Sequence, residues 1–349
     1  MGQGTPIRHY STRSWFAFAI AAALLLLSLL SLWPTNRGFV RMLDFVREPT
    51  IYLAALIGVL AILFVRRGRW VAVALLAGTV AINLARLWPY SFLAPAQVPL
   101  PDEVDGMSCA DVLSLNVLQT NDRYQRTGDL IDRVDPDIVL LMETNGQWLD
   151  ALEPQLSRYG YRLERPRDNT YGMIFATRLG VDRAVMVSAT DADTPTLYAT
   201  LRTDDGARFE MVGLHPRPPR PGRSTQSRDA IIARAGARTP DRLSNVLAIG
   251  DFNDVPWSRT TQNFREEGGY LDPRAGRGSY ATFPASLVTL GWPLDQIMMK
   301  KGVKVENLEI GPDVGSDHLP LLARVCVDRA AGQPEVPDGA LRRNKGEAD

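Results

Sequence analysis

The chain has 349 residues, 45% of them hydrophobic and 22% charged, with 39 basic side chains against 39 acidic ones and a formal net charge of zero. Many of the arginines flank apolar N-terminal stretches, so the remainder is mildly acidic and no extended basic face of the kind that announces nucleic-acid binding is present. Only 2 cysteines occur, which excludes a thiolate cluster for a soft metal, and no internal repeat is visible.

The first apolar run, Trp15 to Trp33, has about the length that crosses a hydrocarbon core and carries tryptophan at both ends, where membrane interfaces favour it. A cleaved signal peptide is the rival reading. Against it, the run is longer than the usual apolar region of about 7–15 residues, and no small-x-small cleavage site follows in LWPTNRG. Two further runs, Ile51 to Val65 and Val71 to Leu84, are short for spans, but Trp70, Trp88 and Tyr90 extend them into the interface. A buried helical hairpin is the alternative for this pair. Residues 1–93 are therefore expected to form a membrane anchor with about three transmembrane helices. Arg8 and Arg13 precede the first span, and Arg66, Arg67 and Arg69 crowd the turn between the second and third. Both groups stay cytoplasmic only with three spans, which places the C-terminal remainder of the chain outside the cytoplasm. Arg37, Arg41 and Arg47 in the intervening loop oppose this weakly, being accompanied by Asp44 and Glu48. The expected location is the inner (cytoplasmic) membrane, multi-pass, with an extracytoplasmic domain.

A Pro- and acid-rich linker, 94–106, leads into 107–330, long enough for one large α/β domain with a substantial core. In it, polar residues repeatedly break or end apolar strand-like runs. Asn116 interrupts VLSLNVLQ, Glu143 ends DIVLLMETN, His215 ends FEMVGLHPRPP, and Asp251 and Asn253 end LAIGDFND. Asp295 sits within WPLDQIMM, and Asp317 and His318 precede the strand LPLLARV in GSDHLPLLARV. One Asn or Asp at a strand end is ordinarily a turn former. This many in order, including two of the 3 histidines, is a different matter. Arg217, Arg220, Arg223 and Arg228 follow His215 in a Pro-rich loop that either guides an anionic substrate or is merely solvated. The helix after it, RDAIIARAGAR, reads as sheet-covering structure with its arginines on a solvated face. Residues 331–349, rich in Gly, Pro and mixed charge, read as a disordered tail.

The GDFN element followed by SDH resembles the endonuclease/exonuclease/phosphatase superfamily, which includes DNase I-like nucleases, neutral sphingomyelinases and inositol-polyphosphate phosphatases; the resemblance runs from about Cys109 to Val327 and suggests a membrane-anchored bacterial type. LHPRPP is closer to the DNase I and sphingomyelinase branches. The resemblance implies an α/β four-layer sandwich of two mixed β-sheets flanked by helices, here preceded by the N-terminal helical transmembrane region. It also implies a divalent cation, Mg2+ or Mn2+, on Glu143 and Asp317. Asp251, Asn253, His215, Asp295 and His318 would be catalytic: Asp251 to activate water, Asn253 to hold water or phosphate, His215 to assist the leaving oxygen, and His318 oriented by Asp295. Asn116 and Tyr171, the latter in NTYGMIFATR, would contact substrate. Two positions depart from the usual pattern, Met142 in place of Gln and Gln296 in place of His or an aromatic residue, which bears on substrate preference.

The expected activity is that of a membrane-anchored, metal-dependent phosphoesterase acting by in-line water attack on a nucleic acid, a phospholipid or a soluble phosphate ester. Its partners are the lipid bilayer and that substrate, with no obligate protein partner evident. The alternative is a catalytically inactive binding or regulatory protein that keeps the fold. The family-like fold also sets the first strand of the domain antiparallel to the last. A register with Asn116 opposite Leu319 sets Cys109 against Cys326, whereas Asn116 opposite His318 misses by one residue; a disulfide and two free thiols both remain open.

Overall fold

The computed structural model describes residues 11–98, 106–188, 194–237 and 243–329, so most of the expected linker and the whole tail lie outside the described residues. The chain divides into two compact units, Met1–Pro95 with Pro219–Thr225, and Ala96–Pro218 with Gln226–Asp349.

The first unit is helical: α1 (Thr12–Leu30), the short α2 (Gly38–Met42), α3 (Arg47–Phe64) and α4 (Arg69–Leu87). Three helices are long and apolar enough to cross a membrane, Thr12–Leu30, Arg47–Phe64 and Arg69–Tyr90, the last counted through a 3-10 turn. The apolar runs thus form helices that begin three or four residues before the expected first and second spans and include Trp88 and Tyr90 at the end of the third. They meet at Leu76 and at Ala21, Ala54 and Ala72, small residues that let helix backbones approach closely. Their outward surface is aliphatic and aromatic. A polar cluster is buried within: Arg47 pairs with Asp44 at 2.6 Å and donates to Asn83 Oδ1 at 3.2 Å, while Asn83 Nδ2 donates to Ser28 Oγ at 2.8 Å. Arg41 also lies near Asp44, at 3.4 Å. Two of the three arginines in the first loop are therefore tied up with an acid.

The second unit contains two mixed sheets. The first has the order β10-β11-β1-β2-β4-β3, with β1 Met107–Asn116, β2 Ile138–Met142, β3 Tyr161–Arg165, β4 Met173–Thr177, β10 Val303–Ile310 and β11 Leu321–Asp328. The second has the order β5-β6-β7-β8-β9, with β5 Gly180–Ser188, β6 Pro195–Arg202, β7 Arg208–Leu214, β8 Val246–Asp251 and β9 Asp295–Met299. Strand periodicity of two builds the layers. Ile138, Leu140 and Met142 of β2 face Leu247 and Ile249 of β8 in a core between the sheets, while Val139 and Leu141 turn outward. The outward set is covered by α5 (Tyr124–Val134) and α6 (Gly146–Leu156). On the other sheet Val246 and Ala248 turn outward beneath α7 (Gln226–Ala237) and α8 (Arg259–Gly268), the latter contributing Phe264. The result is the α/β four-layer arrangement.

Each sheet contains one parallel pair, β1 with β2 and β7 with β8, and their crossover helices return the chain so that both members end at the same rim. Antiparallel β9 and β11 begin there. The β1–β11 register sets Cys109 directly opposite Cys326, and the two are joined by a disulfide. This is the register that places Asn116 toward Leu319.

Candidate active site

Strand ends deliver the site residues. Asn116 closes β1, and its parallel partner in register is Met142, so Glu143 stands beside it just beyond β2. Leu214 pairs with Gly250, which puts His215 next to Asp251, and Asp251 pairs across β8–β9 with Asp295. Gly250 lies inside the strand rather than at a turn; its φ is +139°, and a Cβ would come within 2.2 Å of the Leu214 carbonyl oxygen. Two site residues sit in left-handed backbone despite their side chains, Glu143 at φ 61° and Asn253 at φ 48°.

The side chains converge. Asn116 Nδ2 donates to Glu143 Oε1 and to Asp251 Oδ2, both at 3.0 Å, and its Oδ1 accepts from the Leu118 amide. Glu143 Oε2 accepts from the Gln119 amide at 3.3 Å. Asp251 Oδ1 accepts from the Asn253 amide at 2.7 Å, and Asn253 Nδ2 donates to Pro216 O at 3.0 Å and to Asp251 Oδ2 at 3.3 Å. Asp295 Oδ2 holds His318 Nδ1 at 2.7 Å, which turns Nε2 toward Asp251 Oδ2 at 3.8 Å. Burial by itself would lower the His318 pKa, but the charges of Asp295 and Asp251, the Asp295 hydrogen bond and the charge of Asp317 outweigh it and raise it to about 10. The two carboxylates thus favour the charged form of the ring.

His215 is different. It is buried, its Nε2 lies 3.7 Å from Asp251 Oδ2 and 3.9 Å from Glu143 Oε1, and neither ring nitrogen has a hydrogen-bond partner among the described residues. A buried polar group of this kind calls for a partner such as a bound ligand. Tyr171 packs on it with ring centroids 5.4 Å apart, and the exposed Arg217 lies over Tyr171 at 5.3 Å. Asp317 is half-buried beside His318, and its carbonyl accepts from the Ala285 amide.

For a metal, the geometry offers two places. Asp251, Asp295 and His318 each present a ligand atom within 4.8 Å of the others, but Asp295 and His318 are already joined to each other. Glu143, with 18% of its side chain exposed, is the carboxylate that reaches solvent and offers hard oxygen donors. Neither Glu143 nor Asp317 belongs to the buried trio.

Several residues that hold this geometry are not evident from the sequence. Ser316 Oγ donates to Asn116 O at 2.7 Å and accepts from the His318 amide at 3.0 Å, linking two strand ends. Met142 Sδ accepts from the Asp251 amide at 3.2 Å. Arg228 corrects the expectation of a solvated helix face: it is 5% exposed, pairs with Asp254 at 2.9 Å and Asp229 at 2.8 Å, and donates to Arg217 O and Asn253 O. It thereby ties the loop after His215 to the GDFN turn. A hydrophobic period of 3.6 cannot separate a paired, buried arginine from a solvated one. Gln296 bridges Arg274 Nη2 at 2.9 Å and Asp254 O at 2.6 Å.

Comparison with known proteins agrees with this architecture. The family model described as Endonuclease/Exonuclease/phosphatase family matches residues 113–318, more than half of the chain. Among solved structures, an endonuclease/exonuclease/phosphatase family protein from Bacteroides thetaiotaomicron superposes with a TM-score of 0.52 at 18% identity, covering 64% of this chain and 99% of that one. A humanised D. rerio TDP2 gives 0.52 at 15% identity, with 62% and 98% covered. The endonuclease/exonuclease/phosphatase from Bacteroides vulgatus gives 0.50 at 18% identity, with 63% and 99% covered. These likenesses speak to the fold; no curated protein matches the sequence. With the strand-end constellation, the two-sheet sandwich and the match over residues 113–318 in agreement, the chain belongs to the Endonuclease/Exonuclease/phosphatase family.

Proposed function

We propose that this protein is a membrane-anchored, divalent-metal-dependent phosphoesterase that cleaves phosphodiester or phosphomonoester bonds by in-line attack of water. The observation that carries the reading is His215, a buried imidazole with both nitrogens unsatisfied among the described residues, whose Nε2 faces Asp251 and Glu143 at the rim where Asp295 also holds His318.

The donor set suits Mg2+ or Mn2+: Glu143 would hold the cation, with Asp317 as a candidate second carboxylate and Asn116 steadying Glu143. When bound, such a cation neutralises a non-bridging phosphate oxygen. The protein does the rest. Asp251, oriented by Asn116 and by the Asn253 amide, accepts the proton of the attacking water. His318, charged and aligned by Asp295, faces the charge that develops on phosphate. His215 donates to a phosphate oxygen or to the leaving oxygen, and Tyr171 with Arg217 lines that side. Asn253 holds the carboxylate and the adjacent loop.

The three apolar helices anchor the chain, and its arginine distribution favours an extracytoplasmic catalytic domain, since Arg41 and Arg47 are paired with Asp44 whereas Arg66, Arg67 and Arg69 surround a tight turn. The Cys109–Cys326 disulfide suits an oxidising compartment. The test is hydrolysis of bis(p-nitrophenyl) phosphate and p-nitrophenyl phosphate by the full chain in detergent. Activity that needs Mg2+ or Mn2+ and vanishes on chelation is expected; turnover that persists with chelator overturns the metal reading. A reporter enzyme that works only outside the cytoplasm should be active when fused after Asp105 and silent after Gly68, and the opposite pair refutes the topology.

A further inference from the structure

Four large apolar side chains stand exposed in the described part of the catalytic unit: Val187 at 42%, Leu287 at 51%, Val288 at 38% and Leu290 at 48%. Three of them fall in one 3-10 segment, Ala285–Leu290. That segment is the tip of residues 281–294, ATFPASLVTLGWPL, which contain no charged side chain although 22% of the chain is charged. Scattered exposed leucines need no explanation; a cluster on an uncharged loop does.

The loop is rooted in the site. Its base is closed by Thr282 N–H to Trp292 O at 3.1 Å and by Phe283 stacked on Trp292, centroids 6.0 Å apart. Ala285 N–H donates to Asp317 O at 2.8 Å and Leu319 N–H to Thr282 O at 2.9 Å, on both sides of His318. The Phe283 ring lies 4.8 Å from the His318 ring. An aliphatic tip on an aromatic base therefore stands beside the His318 ring. A site for nucleic acid would place Lys or Arg on such a loop to meet successive phosphates, and it has none. Apolar side chains next to a phosphate-handling group match a different substrate, one whose phosphate lies at the boundary between water and hydrocarbon. The same chain supplies three helices able to cross a membrane.

We propose that Leu287, Val288 and Leu290 seat in the surface of a lipid bilayer, and that the ester cleaved at the site is the headgroup phosphoester of a phospholipid. The substrate class rests on the phosphoesterase reading, whereas the membrane seat does not.

The seat is tested on the full chain, disulfide intact, reconstituted into phosphatidylcholine vesicles with a nitroxide on Val288→Cys and, separately, on Val187→Cys. The label at 288 should be open to oxygen and shielded from a water-soluble nickel complex, and the label at 187 open to nickel; equal access to nickel at both positions overturns the seat. The substrate class is tested with Leu287→Asp/Leu290→Asp. Its rate on vesicle phospholipid, divided by its rate on bis(p-nitrophenyl) phosphate, should fall about tenfold against the parent, because charged residues resist entry into the interface. An unchanged ratio overturns the role of the loop. A parent protein that cleaves the soluble ester or single-stranded DNA but no phospholipid overturns the substrate class and leaves the phosphoesterase standing. Failure on every ester, chelator or not, removes the phosphoesterase reading, and the nitroxide result then still decides the seat.

Discussion

The two sheets contribute to one rim but hold their parts of it by different means. The first sheet brings Asn116 and Glu143, braced by an apolar interior and by the Cys109–Cys326 link between β1 and β11. The second brings His215, Asp251 and Asp295, and beneath them lie buried ionic groups: Arg228 with Asp254 and Asp229, and Arg274 with Asp272 and Gln296. Glu143 retains some exposure while Asp251 and Asp295 have essentially none. His318 enters from the β11 side and is claimed by Asp295 of the opposite sheet at 2.7 Å, a contact that joins the halves beside the Asn116–Asp251 hydrogen bond. Fixed charge in a dry setting suits groups that must not reorganise during the reaction, and a hydrated carboxylate suits exchange of a cation with solvent.

The sharpest way to break this comparison is to remove one acid from each half. Asp251→Asn should lower turnover by about a hundredfold to ten-thousandfold at any metal concentration, the range for a positioned acid-base group. His318→Ala belongs in the same range. Glu143→Gln should behave otherwise: the metal concentration for half-maximal activity rises, with part of the loss recovered at saturating Mn2+. Metal titrations of the three variants decide it. An unchanged requirement in Glu143→Gln removes the distinction between the halves.

Next in size are the buried charges beneath the second sheet. Arg228→Met leaves Asp254 without its guanidinium and should destabilise the domain by about 3–5 kcal/mol, as breaking a buried pair does. Denaturant midpoints in detergent measure it. Adding Asp254→Leu should restore part of the loss, though activity stays low because the GDFN turn is no longer clamped. The neighbouring pair adds a pH signature. Burial would raise the Asp272 pKa, but Arg274 overrides it and holds the carboxyl below its ordinary range. Its contribution is therefore full above about pH 3.9, the unperturbed value, and lost as pH falls through the depressed folded one. Asp272→Asn should be less stable at pH 7 and lose less on acidification than the parent.

These ionic groups also mark where reading the sequence ends. A polar residue that interrupts an apolar strand is visible because strand periodicity is short and its break is local, and so Asn116, Glu143, His215, Asp251 and Asp295 stand out in the chain. The two-sheet fold is what the family resemblance carried by those residues implies. Arg228 and Asp254 are partners across 26 positions, joined only once α7 has packed beside β8, and no local pattern announces them. The left-handed backbone at Glu143 and Asn253 is equally hidden, since neither is glycine. The cysteine register was legible only as one of two possibilities, and the structure takes the one that opposes them.

That covalent link in the first sheet gives the next effect. Cys109→Ala/Cys326→Ala should cost about 2–4 kcal/mol, typical for removing a native disulfide, with the metal requirement unaltered because the bridge lies at the far end of β1 from Asn116. Mass spectrometry of non-reduced protein from membranes should find the linked peptides. Two free thiols there would count against both the bridge and an extracytoplasmic domain.

The smallest effect is expected where chemistry is the same and surroundings differ. Arg324 of β11 joins Asp111 and Glu306, each at 2.8 Å, much as Arg228 joins Asp254 and Asp229. Its side chain is 45% exposed, against 6% for Arg228. Water already solvates its three charges in the unfolded chain and largely continues to do so in the folded one, so little solvation is lost and little Coulomb energy gained. Arg324→Ala should therefore change stability by less than about 1 kcal/mol, and salt should shrink even that. The measurement is a pair of denaturant curves at low and high ionic strength beside those of Arg228→Met. Equal losses for the two arginines would mean that burial is not what distinguishes the sheets. A large, salt-sensitive loss at Arg324 would instead show that the outer face of the first sheet relies on charge as much as the rim of the second.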